Sequence, residues 1–342
     1  MRMETSTGNT MRKARGLSLL SGGLDSQLAV CVLREAGAEV EAVTFASPFF
    51  SADAAKKAAA ALDVPLTVVD FTADVISLLK DPPHGFGGAV NPCIDCHATM
   101  IARAGEMMRT RGWDFVATGE VLNQRPMSQN RQSLGVVERS SGLAGRLVRP
   151  LCAQLLEPTV PETEGLLDRS KLLALSGRRR ETQMALARHY GLHDYPSPAG
   201  GCKLTEKGYA RRVRDLMEHE GLDDLRLVRL LNIARRFRLP GGTGVILGRD
   251  AEENAMLSAA AGKGFVRVSP KTMVGPVALL PEATFRDSPE TVARLVAAWS
   301  GRVKDGCAGE TPAVLFDAAD GPRAVEVPGE CKREEFLQWQ IL

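Results

Sequence analysis

Short apolar segments alternate with amphipathic segments along the first third of the chain. The apolar segments predict strands at 17–20, 40–45, 66–70 and 115–118. The amphipathic segments, in which apolar residues recur at helical spacing, predict helices at 27–36, 53–62 and 96–111. Strands that alternate with helices form a parallel sheet covered on both faces, so we predict an α/β fold with a doubly wound parallel sheet. Ligands bind such sheets beside the carboxyl ends of the strands.

The pattern changes after residue 150, where prolines interrupt a mostly helical segment. Helices are predicted there at 171–176, 178–190, 206–220 and 225–236. A glycine-rich turn near residue 239 then introduces strands at 244–247, 265–268 and 277–280, with a helix at 251–261. The expected parts are a flexible N-terminus at 1–13, a sheet domain at 14–150, a helical arginine-rich segment at 151–238 and a small α+β domain at 239–342.

The composition is that of an ordinary globular protein, with 44% hydrophobic and 25% charged residues in a chain of 342. No apolar run is long enough to span a bilayer and no signal-peptide core begins the chain, so we expect a cytoplasmic protein without a membrane partner. The net charge of +2 argues neither for nor against nucleic acid. The seven cysteines, an odd number, disfavour paired disulfides and favour metal or redox chemistry. The oligomeric state is open, a homodimer included.

The segment S-G-G-L-D-S at 21–26 joins a predicted strand to a predicted helix. Glycines let the backbone approach a phosphate, and the N–H groups and dipole of a helix N-terminus favour an anion. The candidate nucleotide-binding residues are Ser21, Gly22, Gly23, Asp25 and Ser26, with Phe45 and Gly119 near the ends of two other strands. Asp25 is also expected to hold a Mg²⁺ ion that bridges phosphates. A tight turn without a ligand is the alternative.

Three cysteines form a second candidate site. Cys93 and Cys96 make a C-x-x-C pair, and Cys202 follows two glycines much later in the chain. Their thiolates could ligate a [4Fe–4S] cluster and leave one iron free to hold a sulfide. They could instead form a redox pair that carries a persulfide, or a zinc site together with His97. Attachment of c-type haem at C-x-x-C-H is a further interpretation.

The S-G-G-x-D-S segment resembles the pyrophosphate loop of the ATP pyrophosphatase superfamily. With the cysteines, residues 14–220 resemble tRNA thiolation enzymes of the 2-thiouridylase and 4-thiouridine synthetase kind. The resemblance implies an adenine nucleotide α-hydrolase-like fold that uses ATP and Mg²⁺. The implied activity is that of a tRNA sulfurtransferase, which adenylates a uridine oxygen with release of pyrophosphate and then replaces that oxygen with sulfur. Asp25, Cys93, Cys96 and Cys202 would be the catalytic residues. A cysteine desulfurase, a sulfur carrier or free sulfide would supply the sulfur.

The segment A-T-G-E at 117–120 falls where those enzymes carry A-T-G-H or a similar turn. Glu120 therefore departs from the pattern, and its role is open. Two further functions are compatible with the same loop. One is a ligase or sulfur-inserting enzyme that acts on a small metabolite, and the other is a non-catalytic RNA-binding protein that has kept the fold.

The C-terminal third carries a second resemblance. Residues 241–254 contain G-R-D-A-x-x-N and resemble the RNA-binding module at the end of NFACT-type proteins. Arginines in the predicted helices before it could follow a phosphate backbone, a contact with little base specificity. The candidate RNA contacts are Arg125, Arg178, Arg179, Arg211, Arg212, Arg235 and Arg236. Solvated helix faces balanced by glutamates are the alternative.

Overall fold

A computed structural model describes residues 12–125, 127–197, 202–307 and 309–342. The chain divides into two compact units, Met1–Cys202 and Lys203–Leu342. Most of the predicted flexible segment at 1–13 lies outside the described residues. Among the described residues, no helix has both the length and the apolar character needed to cross a bilayer.

The first unit is built on a five-stranded sheet in which every strand pair is parallel. Its strands are β1 Arg15–Leu19, β2 Glu39–Ala46, β3 Leu66–Asp70, β4 Phe115–Ala117 and β5 Leu147–Val148. The sheet order is β3-β2-β1-β4-β5, so the chain reverses its direction of travel across the sheet between β1 and β4. A crevice for ligands opens at such a reversal, beyond the carboxyl ends of the strands. The predicted α/β fold with a parallel sheet is confirmed.

Helices connect these strands and bury one face each. They are α1 Leu24–Glu35, α2 Asp53–Ala61, α3 Thr72–Lys80, α4 Cys93–Thr110, α5 Arg131–Ser141, α6 Val160–Thr163 and α7 Glu181–His189. In α1, Leu24, Leu28 and Val32 recur every fourth residue and are fully buried, which is the spacing that turns one helical face to a sheet. The sequence pattern identified α1, α2 and α4 but missed α3 and α5.

The segment after β5 belongs to the first unit and is not a separate helical part. Leu167, Leu172 and Ala187 join the same hydrophobic core as α1. The helix predicted at 171–176 is wrong, because only a short 3₁₀ turn at Arg169–Lys171 forms there. The backbone beyond it is extended, since the N–H groups of Leu173 and Leu175 donate to the carbonyls of residues 150 and 151.

The second unit contains a six-stranded antiparallel sheet in the order β11-β10-β8-β9-β7-β6. Its strands are β6 Arg235–Arg238, β7 Gly244–Leu247, β8 Phe265–Pro270, β9 Ala278–Pro281, β10 Ala313–Ala318 and β11 Gly321–Glu326. Its helices are α8 Lys207–His219, α9 Leu225–Leu230, α10 Ala251–Ala260, α11 Pro289–Ala298 and α12 Glu334–Leu337. The helix α11 packs on β8, β10 and β11 and closes the hydrophobic core of this unit.

The helix predicted at 225–236 is wrong in its second half. It ends at Leu230, and Arg235 and Arg236 lie in strand β6, which pairs with β7. Ala234 takes a φ of +66°, which a helix does not allow, and Phe237 is fully buried in the core of the sheet. The division into two units at 202/203 places α8, α9 and β6 in the second unit. The expected domain boundaries at 150 and 238 stay predictions.

Candidate nucleotide and sulfur site

The phosphate-loop candidate runs from the end of β1 into the first turn of α1. Ser26 Oγ donates to the Gly23 carbonyl at 2.8 Å, and Ser21 Oγ donates to Ser26 Oγ at 3.2 Å. The Gly23 N–H in turn donates to Ser21 Oγ at 3.3 Å. Gly23 is the N-cap of α1 and has no side chain to cap the helix, so the first N–H groups of α1 are available to an anion.

Two glycines are required by the packing of this loop. Gly22 has a φ of +84°, and a Cβ placed on it would lie 2.4 Å from the backbone carbon of Ala54. A Cβ on Gly119, just after β4, would lie 2.6 Å from the carbonyl oxygen of Asp25 and 2.7 Å from Ser26 Cα. The end of β4 therefore rests directly on the loop at the reversal between β1 and β4.

Side chains from α1 and from distant segments of the chain also contact the loop. Gln124 Nε2 donates to Asp25 Oδ2 at 2.8 Å, and Gln183 Nε2 donates to Gln124 Oε1 at 3.4 Å. Gln27 Nε2 donates to the Gly22 carbonyl at 2.8 Å. Arg180 places Nη2 at 3.7 Å from Asp25 Oδ1, an ion pair beyond hydrogen-bond distance. The sequence interpretation missed the contacts of Gln124, Gln183 and Arg180, because nothing local marks a partner that is far away along the chain.

Phe45, predicted to contact the nucleotide, lies near the end of β2 and is only 6% exposed. Its ring meets the ring of Phe71 edge to face, with centroids 5.4 Å apart. The structure thus places the Phe45 side chain in the hydrophobic core near the carboxyl end of β2. Contact between Phe45 and a nucleotide stays a prediction.

The C-x-x-C pair opens α4. Cys93, Cys96 and His97 share one helical face, because residues three and four positions apart are neighbours on a helix. Asn91 Nδ2 donates to Cys93 Sγ at 3.1 Å. Burial raises the pKa of the Cys96 thiol well above its usual range, and negative charge on Cys202, Cys93 and Asp95 raises that pKa further. All three sulfurs of the predicted trio therefore lie in one neighbourhood.

Among the described residues, no group of three or more His, Cys, Asp or Glu side chains is arranged to hold a single metal ion. The zinc interpretation stays a prediction, and His97 Nδ1 lies 3.3 Å from Glu120 Oε1. A [4Fe–4S] cluster is held by cysteine thiolates, the donor groups that this trio offers. Ligation of such a cluster by Cys93, Cys96 and Cys202 stays a prediction.

Glu120, the departure from the resemblance, is a buried carboxylate with three partners. Arg149 Nε and Thr118 Oγ1 each donate to its Oε2 at 3.0 Å, and His97 lies against its other oxygen. Burial opposes the charge, but Arg149 and His97 outweigh burial and lower the pKa of Glu120 to about 2. Arg149 is itself buried and also donates to Glu138 Oε2 at 2.9 Å. Glu120 therefore connects the cysteine face of α4 to the end of β4, beside the phosphate loop.

The predicted RNA contacts fall into two groups. In the first unit, Arg125, Arg178 and Arg179 are exposed, although the helix α7 begins only at Glu181 and so leaves the last two in the preceding loop. In the second unit, Arg211 is exposed on α8. These four side chains are accessible to a nucleic acid.

The other three arginines have protein partners. Arg212 Nη1 donates to the Leu231 carbonyl at 3.0 Å, and Arg235 Nη1 donates to the Gly248 carbonyl at 3.2 Å. Arg236 is 4% exposed and donates to Asp215 Oδ2 and Glu220 Oε2, each at 2.9 Å. The prediction that Arg236 contacts RNA is wrong, because two carboxylates inside the second unit already engage its buried guanidinium.

Comparison with known proteins gives matches at both ends of the chain. Residues 11–155 match the family model described as thiamine biosynthesis protein (ThiI). Residues 234–310 match the family model described as NFACT protein RNA binding domain. The second match starts at β6 and contains the G-R-D-A-x-x-N segment.

Two relatives carry the name tRNA-specific 2-thiouridylase. The protein MnmA of Roseiflexus sp. (strain RS-1) is 26% identical over 65% of this chain and 65% of its own. The protein MnmA 1 of Syntrophus aciditrophicus (strain SB) is 24% identical over 64% of this chain and 59% of its own. The chain thus spans less than two thirds of the length of either relative.

Two solved structures share part of the fold. A 4-thiouridine synthetase in complex with RNA and bound ATP is 26% identical over 40% of this chain and 36% of its own, with a TM-score of 0.33. The U34-tRNA thiolase NcsA from Methanococcus maripaludis, solved with its [4Fe–4S] cluster, is 18% identical over 64% of this chain and 70% of its own, with a TM-score of 0.30. The family models and the relatives confirm both resemblances expected from the sequence: the first unit is similar to the tRNA thiolases of the ATP pyrophosphatase superfamily, and the second is similar to the NFACT RNA-binding domain.

Proposed function

We propose that this chain is an ATP-dependent tRNA sulfurtransferase. The observation that carries the proposal is the placement of two half-sites at one edge of one sheet. The loop at 21–26 lies after β1, the cysteines Cys93 and Cys96 lie at the start of α4, and Glu120 after β4 joins them through His97. A reaction that first activates an oxygen and then replaces it with sulfur needs both half-sites within reach of one substrate atom.

The phosphate loop would serve the activation step. A uridine carbonyl oxygen attacks the α-phosphorus of ATP, the bond to the β-phosphate breaks, and pyrophosphate leaves with the electron pair. The loop N–H groups and the serine hydroxyls would stabilise that leaving group. Asp25 would hold Mg²⁺ together with phosphate oxygens, an arrangement in which the protein supplies only one or two carboxylates.

The cysteine trio would serve the sulfur step. Cys93, Cys96 and Cys202 would either carry a persulfide or ligate a [4Fe–4S] cluster, which, when bound, supplies an open iron for a sulfide. In the persulfide alternative, the outer sulfur would attack the adenylated carbon and AMP would leave with the oxygen. A second cysteine thiolate would then attack the inner sulfur, so that a disulfide forms and the thiolated uridine is released. A cysteine desulfurase or a sulfur carrier would supply the outer sulfur of the persulfide, whereas free sulfide would serve only the cluster alternative.

The second unit would dock the RNA. Its match to an RNA-binding domain supports this role, and the exposed Arg211 offers a phosphate contact on α8. In the first unit, Arg125, Arg178 and Arg179 would add contacts to the backbone of the same tRNA. Such contacts weaken as salt rises, because binding releases counterions from the phosphates.

Nucleoside analysis of tRNA from a strain that lacks the gene tests the proposal, and a missing thiolated uridine is the expected result. ATP–pyrophosphate exchange with purified protein separates the alternatives. Exchange that depends on added tRNA supports the proposal, while exchange without RNA points to a small-metabolite substrate. If neither condition supports exchange, the chain is a non-catalytic RNA-binding protein.

A further inference from the structure

Arg180 differs from the two arginines that precede it in the chain. Arg178 and Arg179 are exposed, whereas the side chain of Arg180 is only 19% exposed and is directed to Asp25 in the phosphate loop. Arg180 is the N-cap of α7, a helix that packs against α1. The loop and the residue that faces it are therefore carried by two helices in contact.

The contact between Arg180 and Asp25 is incomplete. Their closest charged atoms, Nη2 and Oδ1, are 3.7 Å apart, while the buried pair of Arg149 and Glu120 closes to 3.0 Å. Among the described residues, neither Arg180 Nε nor Asp25 Oδ1 has a hydrogen-bond partner, although both atoms are buried. Since buried polar atoms normally find partners, the pair presents a free donor and a free acceptor at the phosphate loop.

The chemistry of the two free groups is complementary to a magnesium-bound phosphate. A guanidinium donates to phosphate oxygens, often through two parallel hydrogen bonds. A carboxylate repels a phosphate unless a cation stands between them, and Mg²⁺ accepts oxygen ligands from both. Within the described part of the chain, Arg180 is the cationic side chain that lies within 4 Å of Asp25.

We infer that Arg180 binds the β- and γ-phosphates of ATP and stabilises the pyrophosphate as it leaves. The inference rests on the proposed ATP chemistry and adds a residue to it. The bond that breaks lies between the α-phosphorus and its bridging oxygen, so Arg180 gives up no proton in this step. Binding of the phosphates replaces the long contact with Asp25 by charge-assisted hydrogen bonds.

Equilibrium binding of three probes tests this role: Mg²⁺–ATP, Mg²⁺–pyrophosphate and AMP, each measured by calorimetry on the full chain. We expect Arg180→Gln to weaken ATP and pyrophosphate by about tenfold or more, the loss typical of hydrogen bonds to a charged group. Its affinity for AMP should stay within about twofold of the wild type. Arg180→Lys keeps the positive charge but loses the paired N–H donors of the guanidinium, so its loss of affinity for pyrophosphate should be intermediate. Arg139→Gln, at an exposed arginine on α5, is the matched control.

Unchanged pyrophosphate affinity in Arg180→Gln would overturn the inference, even if the wild-type protein thiolates tRNA. An equal loss of AMP would also overturn it, because Arg180 would then maintain the whole pocket. If the wild type binds neither ATP nor pyrophosphate, the proposed function fails as well. If Arg180→Gln does not fold, the same affinities are measured on Arg180→Lys. A loss of pyrophosphate affinity without a loss of AMP affinity then supports the inference, and equal changes in the two affinities overturn it.

Discussion

Glu120 and Arg149 form a buried ion pair in which Arg149 Nε donates to Glu120 Oε2 at 3.0 Å, with side chains 6% and 3% exposed. The pair spans from the residues after β4 to those after β5. It keeps Glu120 ionised in a place where burial alone would neutralise it. The contribution of this pair to the stability of the first unit is therefore expected to depend on pH and on the presence of both residues.

Glu120→Gln should destabilise the first unit by about 3 kcal/mol, because it leaves the Arg149 guanidinium buried without its countercharge. The folded-state pKa of Glu120, about 2, lies below its ordinary value, so its charge stabilises the fold above about pH 5. That contribution is lost as the pH falls from about 5 toward 2. Denaturant unfolding of both proteins across this range measures the effect. Glu106→Gln breaks an exposed pair with Arg103 and should cost less than about 0.5 kcal/mol. Equal stability and equal pH slopes would refute the role of Glu120.

Gly119→Ala should damage nucleotide binding without removing any polar group. The new methyl group would lie 2.6 Å from the Asp25 carbonyl oxygen, so the loop must shift. We expect a loss of about tenfold or more in ATP affinity and a destabilisation of about 1–3 kcal/mol. Gly262→Ala is the control, because among the described residues no atom lies within 4 Å of its Cβ position. Wild-type ATP affinity in Gly119→Ala would show that the close contact is unimportant.

The thiols of the trio should react at different rates in metal-free protein kept reduced. Cys93 is half-buried at the helix start, whereas Cys96 is buried and burial raises its pKa. Iodoacetamide at about pH 8 should therefore modify Cys93 well before Cys96. Cys152 is an internal reference, since burial raises its pKa to about 11. Mass spectrometry of timed samples gives the order, and faster modification of Cys96 than of Cys93 would contradict the structure.

Cys202→Ala should abolish thiolation of tRNA and leave ATP affinity within about twofold of the wild type. Negative charge on Cys202 raises the pKa of Cys96, which associates Cys202 with the proposed sulfur half-site. Thiolated nucleosides and bound iron are measured on the same preparations. Cys331→Ala, a cysteine of the second unit, should retain full thiolation. Thiolation by Cys202→Ala at the wild-type rate would remove this residue from the mechanism.

Substitutions at Arg236 and at Arg211 should have different effects, the first on stability and the second on RNA binding. Arg236→Gln leaves Asp215 and Glu220 buried with less positive charge, so we expect a loss of about 3–5 kcal/mol in stability. Arg211→Gln should leave stability within about 0.5 kcal/mol but weaken tRNA binding at low salt. Thermal unfolding and filter binding over a salt series measure the two effects. If Arg236→Gln weakened tRNA binding while Arg211→Gln lowered only stability, the buried arginine and not the exposed one would contact the RNA.

Local sequence was sufficient for the features that depend on local chemistry. The S-G-G-L-D-S segment predicted a loop between a strand and a helix. The pattern also predicted the helix that carries Cys96, although α4 begins at Cys93, three residues earlier than expected. The strand β7 lies where the pattern placed it, at 244–247. These predictions succeed because glycine conformations and side-chain periodicity act over a few residues.

Features that depend on distant partners could not be predicted in this way. Gln124 reaches Asp25 from the loop after β4. Arg180 and Gln183 come to Asp25 and to Gln124 through the packing of α7 on α1, which no local pattern encodes. The strand β6 reads R-R-F-R and looks like a charged helix face, but pairing with β7 and the burial of Phe237 outweigh that appearance. In the sequence, Glu120 stands out only because it departs from the A-T-G-H pattern of the resembling enzymes. Its role as the partner of a buried arginine is visible only in the structure, where Arg149 donates to it.

The close approach of Gly119 to Asp25 has an evolutionary consequence. Gly119 rests on the phosphate loop and the adjoining Glu120 holds His97 on the cysteine helix, so a single peptide bond separates the supports of the two half-sites. An insertion or deletion at this point would displace both supports at once. A change in the length of the chain at Gly119–Glu120 would therefore alter the phosphate loop and the cysteine helix together.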